Sequence, residues 1–68
     1  MADYKKLMIG STVRFIHLTK RDGTQIIHKG IIREKLLNNN LLLEVVDDGN
    51  IHSLDGTLCN RNVDKLVE

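Results

Sequence analysis

The chain has 68 residues with 41% hydrophobic residues, one cysteine, no proline and a formal net charge of +1, which predicts one small domain. The single cysteine, Cys59, excludes an intrachain disulfide, so a core this small needs dense aliphatic packing or oligomerisation for its stability. No apolar run reaches the roughly 20 residues that span a bilayer, and the first residues lack the apolar core of a signal peptide, so we expect a soluble, cytoplasmic protein.

The first elements in chain order are a short helical turn and a strand. The stretch DYKKLMIG, residues 3–10, predicts one helical turn, whose apolar residues 7–9 would cover an open end of the core. The stretch STVRFIHLT, residues 11–19, is rich in β-branched residues and predicts a strand. Because its apolar alternation changes face partway along, we expect either a β-bulge near His17 or burial on both faces.

The middle of the chain predicts a long bent strand, a turn and a buried strand. Residues 24–37 are too many for one flat strand, and Gly30 at their centre permits a sharp bend. A helix over residues 31–37 is the alternative, although about seven residues are too few for a stable isolated helix. The asparagines 38–40 favour a turn, and the LLLEVV that follows predicts a strand buried on most of both faces, with Glu44 pointing outward or paired with a base.

Asp-Gly pairs divide the chain into short β segments, because Gly tolerates positive φ and Asp bonds its own backbone. The last third of the chain predicts short strands over residues 51–54 and 57–59, then a tight turn at Asn60-Arg61-Asn62 that leads into a closing strand. Val63 and Leu66 would face inward after that turn. The Asp-Gly pairs lie at residues 22–23, 48–49 and 55–56.

Short strands in hairpin succession with almost no helix favour a barrel or a sandwich. A barrel suits this length, because it needs fewer strands and removes the sheet edges. The predicted fold is therefore all-β: residues 1–68 form a single domain, a small five-stranded, strongly bent SH3-like or Sm-like barrel with a short N-terminal helical turn.

Three stretches carry a family resemblance. IGSTVRFIHLTKRDGTQ is similar to an opening strand with a Gly-containing turn, and GIIREKLLNNNLLLEV holds Gly30 and Asn40 at the spacing of a first motif. LCNRNVDKLV ends in Asn62-Val63, as a second motif does. Together these stretches, from residue 10 to the end, resemble the Sm-like proteins. The resemblance implies a small barrel and RNA binding.

The chain departs from the Sm-like pattern at the positions that hold RNA bases. In that family, bases lie between an Asp and an Asn of the first motif and the Arg of the second. Asn40 stands at the Asn position, whereas Leu36, Cys59 and Asn60 stand at the Asp, Arg and Gly positions. The resemblance therefore implies the barrel more than the base site, and KOW and Tudor modules share the same strand pattern.

Charge is unevenly distributed along the chain. Residues 1–35 carry eight Lys or Arg and three acidic residues, a net charge of +5, and residues 36–68 have a net charge of −4. A basic first hairpin predicts contacts with the phosphates of RNA or DNA, although two aromatic residues in the whole chain limit base stacking. Cross-strand pairing of opposite charges is the alternative explanation. The candidate nucleic-acid-binding residues are Arg14, Lys20, Arg21, Lys29, Arg33, Asn40 and Arg61.

Two function classes other than nucleic-acid binding are compatible with a small domain: a protein-docking module and an enzyme. A protein-protein adaptor or inhibitor that docks on a larger nucleic-acid-processing machine is the alternative, because a short barrel leaves an edge strand free; a homo-oligomer is a further option. An enzyme is not expected, because no positioned acid, base and nucleophile is recognisable. His17, His28 and His52 lack the spacing of zinc ligands and are expected at the surface or across strands, so we predict no metal and no cofactor.

Overall fold

The structure is a computed structural model that describes residues 4–46 and 54–67. It consists of five strands and two short 3-10 turns, and no α-helix occurs in these two ranges. The all-β prediction is therefore confirmed. The elements in chain order are a first 3-10 turn (Tyr4–Lys6), β1 (Thr12–Thr19), β2 (Gln25–Lys35), β3 (Asn40–Val46), β4 (Leu58–Asn62), a second 3-10 turn (Val63–Lys65) and β5 (Leu66–Val67).

The five strands form one antiparallel sheet in the order β4-β3-β2-β1-β5. Consecutive strands from β1 to β4 pair as hairpins, as the sequence predicts. The predicted strand over residues 51–54 and the Asp-Gly turn at 48–49 lie outside the described residues, apart from Leu54, which precedes a turn. No helix within the described ranges is long and apolar enough to cross a membrane.

One face of the sheet is buried and forms the core. On β3, residues alternate strictly between buried and half-buried positions, because successive side chains of a strand point to opposite faces. Glu44 points outward, as expected. Within the described ranges, seven buried hydrophobic residues form this core: Phe15, Ile32, Leu41, Leu43, Val45, Cys59 and Val63.

Two bulges interrupt the ladders. The β1–β2 register shifts between Ile16 and Leu18, which confirms the bulge predicted near His17. The β2–β3 register shifts between Ile32 and Glu34, at Arg33 and not at Gly30. A bulge adds local twist and bends its strand, so both irregularities help the first three strands to curl. The alternative of a helix over residues 31–37 is wrong, because β2 continues to Lys35.

The β2–β3 turn is made by asparagines, as predicted. Asn38 and Asn39 have φ values of 61° and 60°, and the amide of Asn40 donates to the carbonyl of Leu37. Two successive residues with positive φ form the tight hairpin turn whose twist matches the flanking strands. Asn is the residue after glycine that adopts this backbone most readily.

The predicted tight turn at Asn60-Arg61-Asn62 is wrong. All three residues belong to β4, and the chain turns one residue later, in the second 3-10 turn at Val63–Lys65. Asn62 caps that turn: its side-chain oxygen accepts a hydrogen bond from the amide of Asp64 at 3.1 Å. Val63 is buried and Leu66 packs against the core, so both face inward as predicted.

The second 3-10 turn joins the two edge strands of the sheet. Four residue steps separate the end of β4 from the start of β5, and at about 3.5 Å each they reach roughly 14 Å. In a flat sheet, strands at opposite edges of five would lie roughly 19 Å apart, at about 4.8 Å between neighbours. The sheet is therefore curled, although β4 and β5 are not paired with each other and the sheet is open.

The N-terminal segment lies across one end of the sheet. Leu7 and Tyr4 pack against the core, and the Tyr4 hydroxyl donates to the Leu36 carbonyl at 2.7 Å. Met8 and Ile9 are 70% and 62% exposed. The prediction that residues 7–9 all cover the core is therefore wrong for two of the three, because the backbone turns outward between Met8 and Ser11.

Candidate nucleic-acid interface

Two of the predicted binding residues face each other on the outer side of the sheet. Arg14 of β1 lies directly opposite Lys29 of β2 in the register, so their side chains project from the same face. Both are exposed, and among the described residues neither has a carboxylate within ion-pairing distance. The row continues on both sides with apolar residues, Val67 beside Arg14 and Val46 beside Lys29.

Lys20 and Arg21 stand at the tip of the same hairpin. The tip is ordered by its own hydrogen bonds: the Lys20 amide donates to the Thr24 carbonyl at 2.7 Å, and the Gly23 amide donates to the Lys20 carbonyl at 3.0 Å. The Asp22 carboxylate accepts from the Thr24 amide at 2.9 Å, and this hydrogen bond lowers the pKa of Asp22. Both basic side chains are exposed, on a backbone whose conformation these bonds fix.

A groove adjoins the Arg14–Lys29 pair. It has a volume of about 380 Å³. Its lining comes from the N-terminal segment, β1, β2 and β5, so residues far apart in the sequence form one surface. Four of the lining residues are aliphatic, and Arg14 and Lys29 are the two charged ones. The lining residues are Leu7, Thr12, Val13, Arg14, Lys29, Leu66 and Val67.

Arg33 also projects from the outer face, but it has a partner. Its Nε atom lies 3.1 Å from Oε1 of Glu44 on the neighbouring strand. The side chains are 46% and 35% exposed, so the pair is solvated and weakly held. Cross-strand charge pairing thus occurs at Arg33, whereas it does not occur at Arg14 and Lys29 within the described part of the chain.

Asn40 lies at the opposite end of the hairpins from Lys20 and Arg21. Its side-chain oxygen accepts a hydrogen bond from Nδ2 of Asn62 at 3.2 Å, and the same Nδ2 donates to the Asn38 carbonyl at 3.0 Å. The side chain of Asn40 is therefore used in joining the β2–β3 turn to the end of β4. The side chain of Asn40 therefore has a structural role in the protein, in addition to the predicted contact with a base.

Arg61 faces the inner side of the sheet. It pairs in register with the buried Leu41, and its guanidinium carbon lies 5.9 Å from the centroid of the Phe15 ring. Its Nη1 donates to the Asn60 carbonyl at 2.8 Å, and its Nη2 lies 3.1 Å from Nδ1 of His17. Arg61 is thus separated from the Arg14–Lys29 pair by the sheet itself.

The two described histidines meet across β1 and β2, as expected, and lie beside Arg61, whose position on this face the sequence interpretation missed. The rings of His17 and His28 are edge to face, with centroids 5.1 Å apart, and His28 is buried. Burial lowers the pKa of His17, and the nearby charges of Arg61 and His28 lower it further. Strand alternation could have indicated that Arg61 lies on the inner face of the sheet, because Arg61 is two residues from the buried Cys59 and so shares its face.

Apolar residues separate the basic groups along the outer face of the first hairpin. Ile16 lies directly opposite Ile27, between the Arg14–Lys29 pair and the tip. Ile27 is 37% exposed, and Ile16 is half-buried. Moving from the tip toward the start of β1, the hairpin therefore presents basic residues, the exposed polar pair Thr19–Gln25, the isoleucine pair, and basic residues again.

The described residues contain no group of three or more His, Cys, Asp or Glu side chains that could hold a metal ion. His52 lies outside the described residues. Cys59 is a free, buried thiol on the core side of β4.

Comparison of the chain with protein-family models, with curated proteins and with solved structures finds no match.

Proposed function

We propose that this protein is a non-enzymatic module that binds nucleic acid, RNA or DNA, through the basic outer surface of its β1–β2 hairpin. The observation that carries the proposal is the Arg14–Lys29 pair: two exposed cations opposite each other, with no carboxylate partner in the described part of the chain. Lys20 and Arg21 extend this basic surface at the tip of the same hairpin.

Like charges directly opposite each other on a sheet destabilise it, since each side chain feels the other's field. An anionic ligand relieves that repulsion and gains from both cations at once. Phosphate suits such a pair, because an Arg guanidinium can bind two of its oxygens and a Lys ammonium adds a point charge. The uneven charge along the chain favours the same partner.

The finer fold belongs to the same proposal. We propose that the curled sheet is the wall of a small barrel of the SH3-like or Sm-like kind, with the second 3-10 turn at its corner. The short link between the edge strands and the single buried face support this interpretation. In this arrangement the outer face of the first hairpin is the exposed binding surface, and Arg33 and Asn40 stand at its far end as secondary contacts.

The proposal is tested by fluorescence anisotropy with a labelled oligonucleotide of mixed sequence, titrated at several salt concentrations. Each phosphate contact contributes about 0.7 to 0.9 to the slope of log affinity against log salt. We therefore expect binding to weaken several-fold between about 50 mM and about 200 mM salt. Arg14→Gln and Lys29→Gln should each weaken binding and reduce the slope by about one contact.

Lys65→Gln is the matched control, because it removes one positive charge at an exposed residue that belongs neither to the Arg14–Lys29 pair nor to the groove lining. It should leave the salt slope unchanged. An affinity that does not respond to salt, or that falls equally for Lys65→Gln and Lys29→Gln, would contradict binding at this surface.

A protein-docking function is the second candidate, and the open edge of β4 favours it. Within the described residues β4 pairs with β3 on one side only, and Leu58 at its start is 57% exposed. A partner strand could add to that edge. Light scattering with and without the oligonucleotide separates the candidates. A monomer indifferent to oligonucleotide, together with a partner retained after nuclease treatment, would favour docking.

A further inference from the structure

We propose that the ligand is a single strand, and that one of its unstacked bases occupies the groove beside Arg14 and Lys29. This inference rests on the proposed function and adds to it the form of nucleic acid and the place of one nucleotide. It is carried by the juxtaposition of an aliphatic groove with a pair of cations at its rim.

The groove combines the two surfaces that a nucleotide needs. Leu7, Val13, Leu66 and Val67 provide apolar area, while Arg14 and Lys29 provide positive charge. Its volume of about 380 Å³ lies at the lower end of the range of about 300–1,000 Å³ for small-molecule sites. It therefore suits one base with its sugar, with the adjoining phosphate on the two cations.

The groove lacks an aromatic side chain, so stacking must come from elsewhere. A guanidinium plane can stack on a base, and Arg14 is the lining residue with that chemistry. Thr12 is the one uncharged polar side chain of the lining, and its hydroxyl can donate to or accept from a base edge. One hydroxyl gives little discrimination among bases, so we expect a weak sequence preference.

The outer face of the hairpin indicates a single strand over a duplex. Cations there flank uncharged residues: the Arg14–Lys29 pair is followed by the apolar Ile16–Ile27 pair, the polar Thr19–Gln25 pair and then the basic tip. A single strand alternates charged phosphates with flat apolar bases, so it covers both kinds of residue. A duplex stacks its bases inside and offers mainly phosphates, which would leave the isoleucines and the groove uncovered.

An acidic peptide is the competing occupant, because carboxylates also bind Arg and Lys. A glutamate side chain has no flat apolar group to fill the aliphatic groove beside the two cations, whereas a nucleotide carries both a phosphate and a base. Polyglutamate is therefore the competing probe.

The experiment compares four probes of about 12 units by anisotropy: single-stranded oligothymidylate, the same strand with abasic residues, its duplex with oligoadenylate, and polyglutamate. We expect oligothymidylate to bind at least about fivefold more tightly than the abasic strand, since a stacked base is worth about that factor or more. The duplex should also bind more weakly than the single strand.

Variants distinguish the contribution of the groove to binding from the contribution of Arg14 and Lys29. Val67→Thr, which places a hydroxyl in the groove lining at nearly constant side-chain volume, should weaken binding of oligothymidylate without changing its salt slope. It should leave the abasic strand unaffected. Leu58→Gln, on the outer face of β4 and outside the groove, is the control and should leave both probes unaffected.

The outcomes distinguish this inference from the proposed function. If no oligonucleotide binds, the proposed function fails and the inference with it. If intact, abasic and duplex probes bind equally and still depend on Arg14 and Lys29, the surface binds nucleic acid but no base enters the groove. If polyglutamate binds as tightly as oligothymidylate with the same dependence on Val67, the groove belongs to a protein partner.

Discussion

Gly30 lies where the core leaves little space for a side chain. It is buried in the middle of β2, opposite Val13 and Val45. A Cβ atom added there would lie 3.1 Å from Cε1 of Phe15 and 3.2 Å from Cβ of Leu43, both of which are fully buried. The sequence suggested that Gly30 permits a bend, whereas its observed contribution is the space that the Phe15 ring fills.

Gly30→Ala should therefore destabilise the fold. The added methyl group requires the Phe15 ring or the Leu43 side chain to shift by a few tenths of an ångström within the core, and overpacking of this kind costs about 1–3 kcal/mol. Urea denaturation of the purified variant measures the change in the free energy of unfolding. An unchanged midpoint would mean that the Phe15 ring has room to shift.

His17 gives the stability a dependence on pH. Its Nδ1 accepts from Arg61 only while the ring is neutral, and the titratable or charged groups that act on it are Arg61 of β4 and His28 of β2. Its pKa in the folded state is lowered from the ordinary value, so below about pH 6.5 the unfolded chain binds more protons at this residue than the folded chain.

The free energy of unfolding should consequently fall as the pH is lowered from about 7.5 to about 5.5. In His17→Gln, which cannot take up a proton, that fall should be smaller. Urea denaturation at the two pH values measures both. A fall of equal size in the variant would assign the pH dependence to other groups.

Sequence reasoning could put Arg14 and Lys29 on one hairpin, because adjacent strands joined by a short turn have a nearly fixed register. It added Arg61 as a contact at the tip of a predicted turn, whereas Arg61 lies within β4. The side of the sheet on which Arg61 lies depends on the register of β4, and that register follows from Cys59 entering the core opposite Leu43. The pattern of turn-forming residues carries no information about such a choice of face.

At the scale of elements, Asn62 holds the end of β4 in place. One side chain caps the second 3-10 turn through Asp64, and it also bonds the Asn38 carbonyl and the side chain of Asn40. The backbone adds one more contact, from the Val63 amide to the Asn39 carbonyl at 2.9 Å. The β2–β3 turn and the corner after β4 are therefore one hydrogen-bonded unit.

Asn62→Ala should destabilise the protein by about 1–2 kcal/mol, because it removes the cap and leaves two acceptors at the β2–β3 turn without their donor. Asn60→Ala is the matched control. Asn60 lies two residues earlier on the same face of β4 and is exposed, and its side chain makes no hydrogen bond within the described residues, so its loss should be nearly neutral. Thermal melts of the two variants measure the contrast, and equal melting temperatures would remove Asn62 from this role.

The turn after β4 was misplaced by sequence reasoning for a related reason. Asparagine favours turns, so Asn60-Arg61-Asn62 looked like one. In the structure the strand continues through these residues because β3 offers a full ladder of partners from Glu44 to Asn40. Local preference was overridden by pairing with a strand that precedes it by some 20 residues, which no local pattern reports.

At the scale of the whole molecule, the number of strands and their hairpin order could be predicted, because each depends on a local turn. The pairing of β1 with β5 and the groove could not. The groove takes residues from four segments, among them Leu7 and Val67 near opposite ends of the sequence. The proposed function therefore rests on a surface that exists only after the edge strands are in place.

The pairing of β5 with β1 has a consequence for the order of events in folding. Phe15 and Leu66 are about 50 residues apart, so the β1–β5 pairing closes a long loop of the chain for only two ladder positions. Because loop closure costs entropy, this contact should form late in folding. Because its area is small, it should be lost early in unfolding. Val67 and Leu66 would then detach in local openings that leave the three hairpins intact, and amide hydrogen exchange should be fastest there. A ligand bound between these two residues and Arg14 would slow that exchange. Binding would therefore be detectable by amide hydrogen exchange as well as by an affinity measurement.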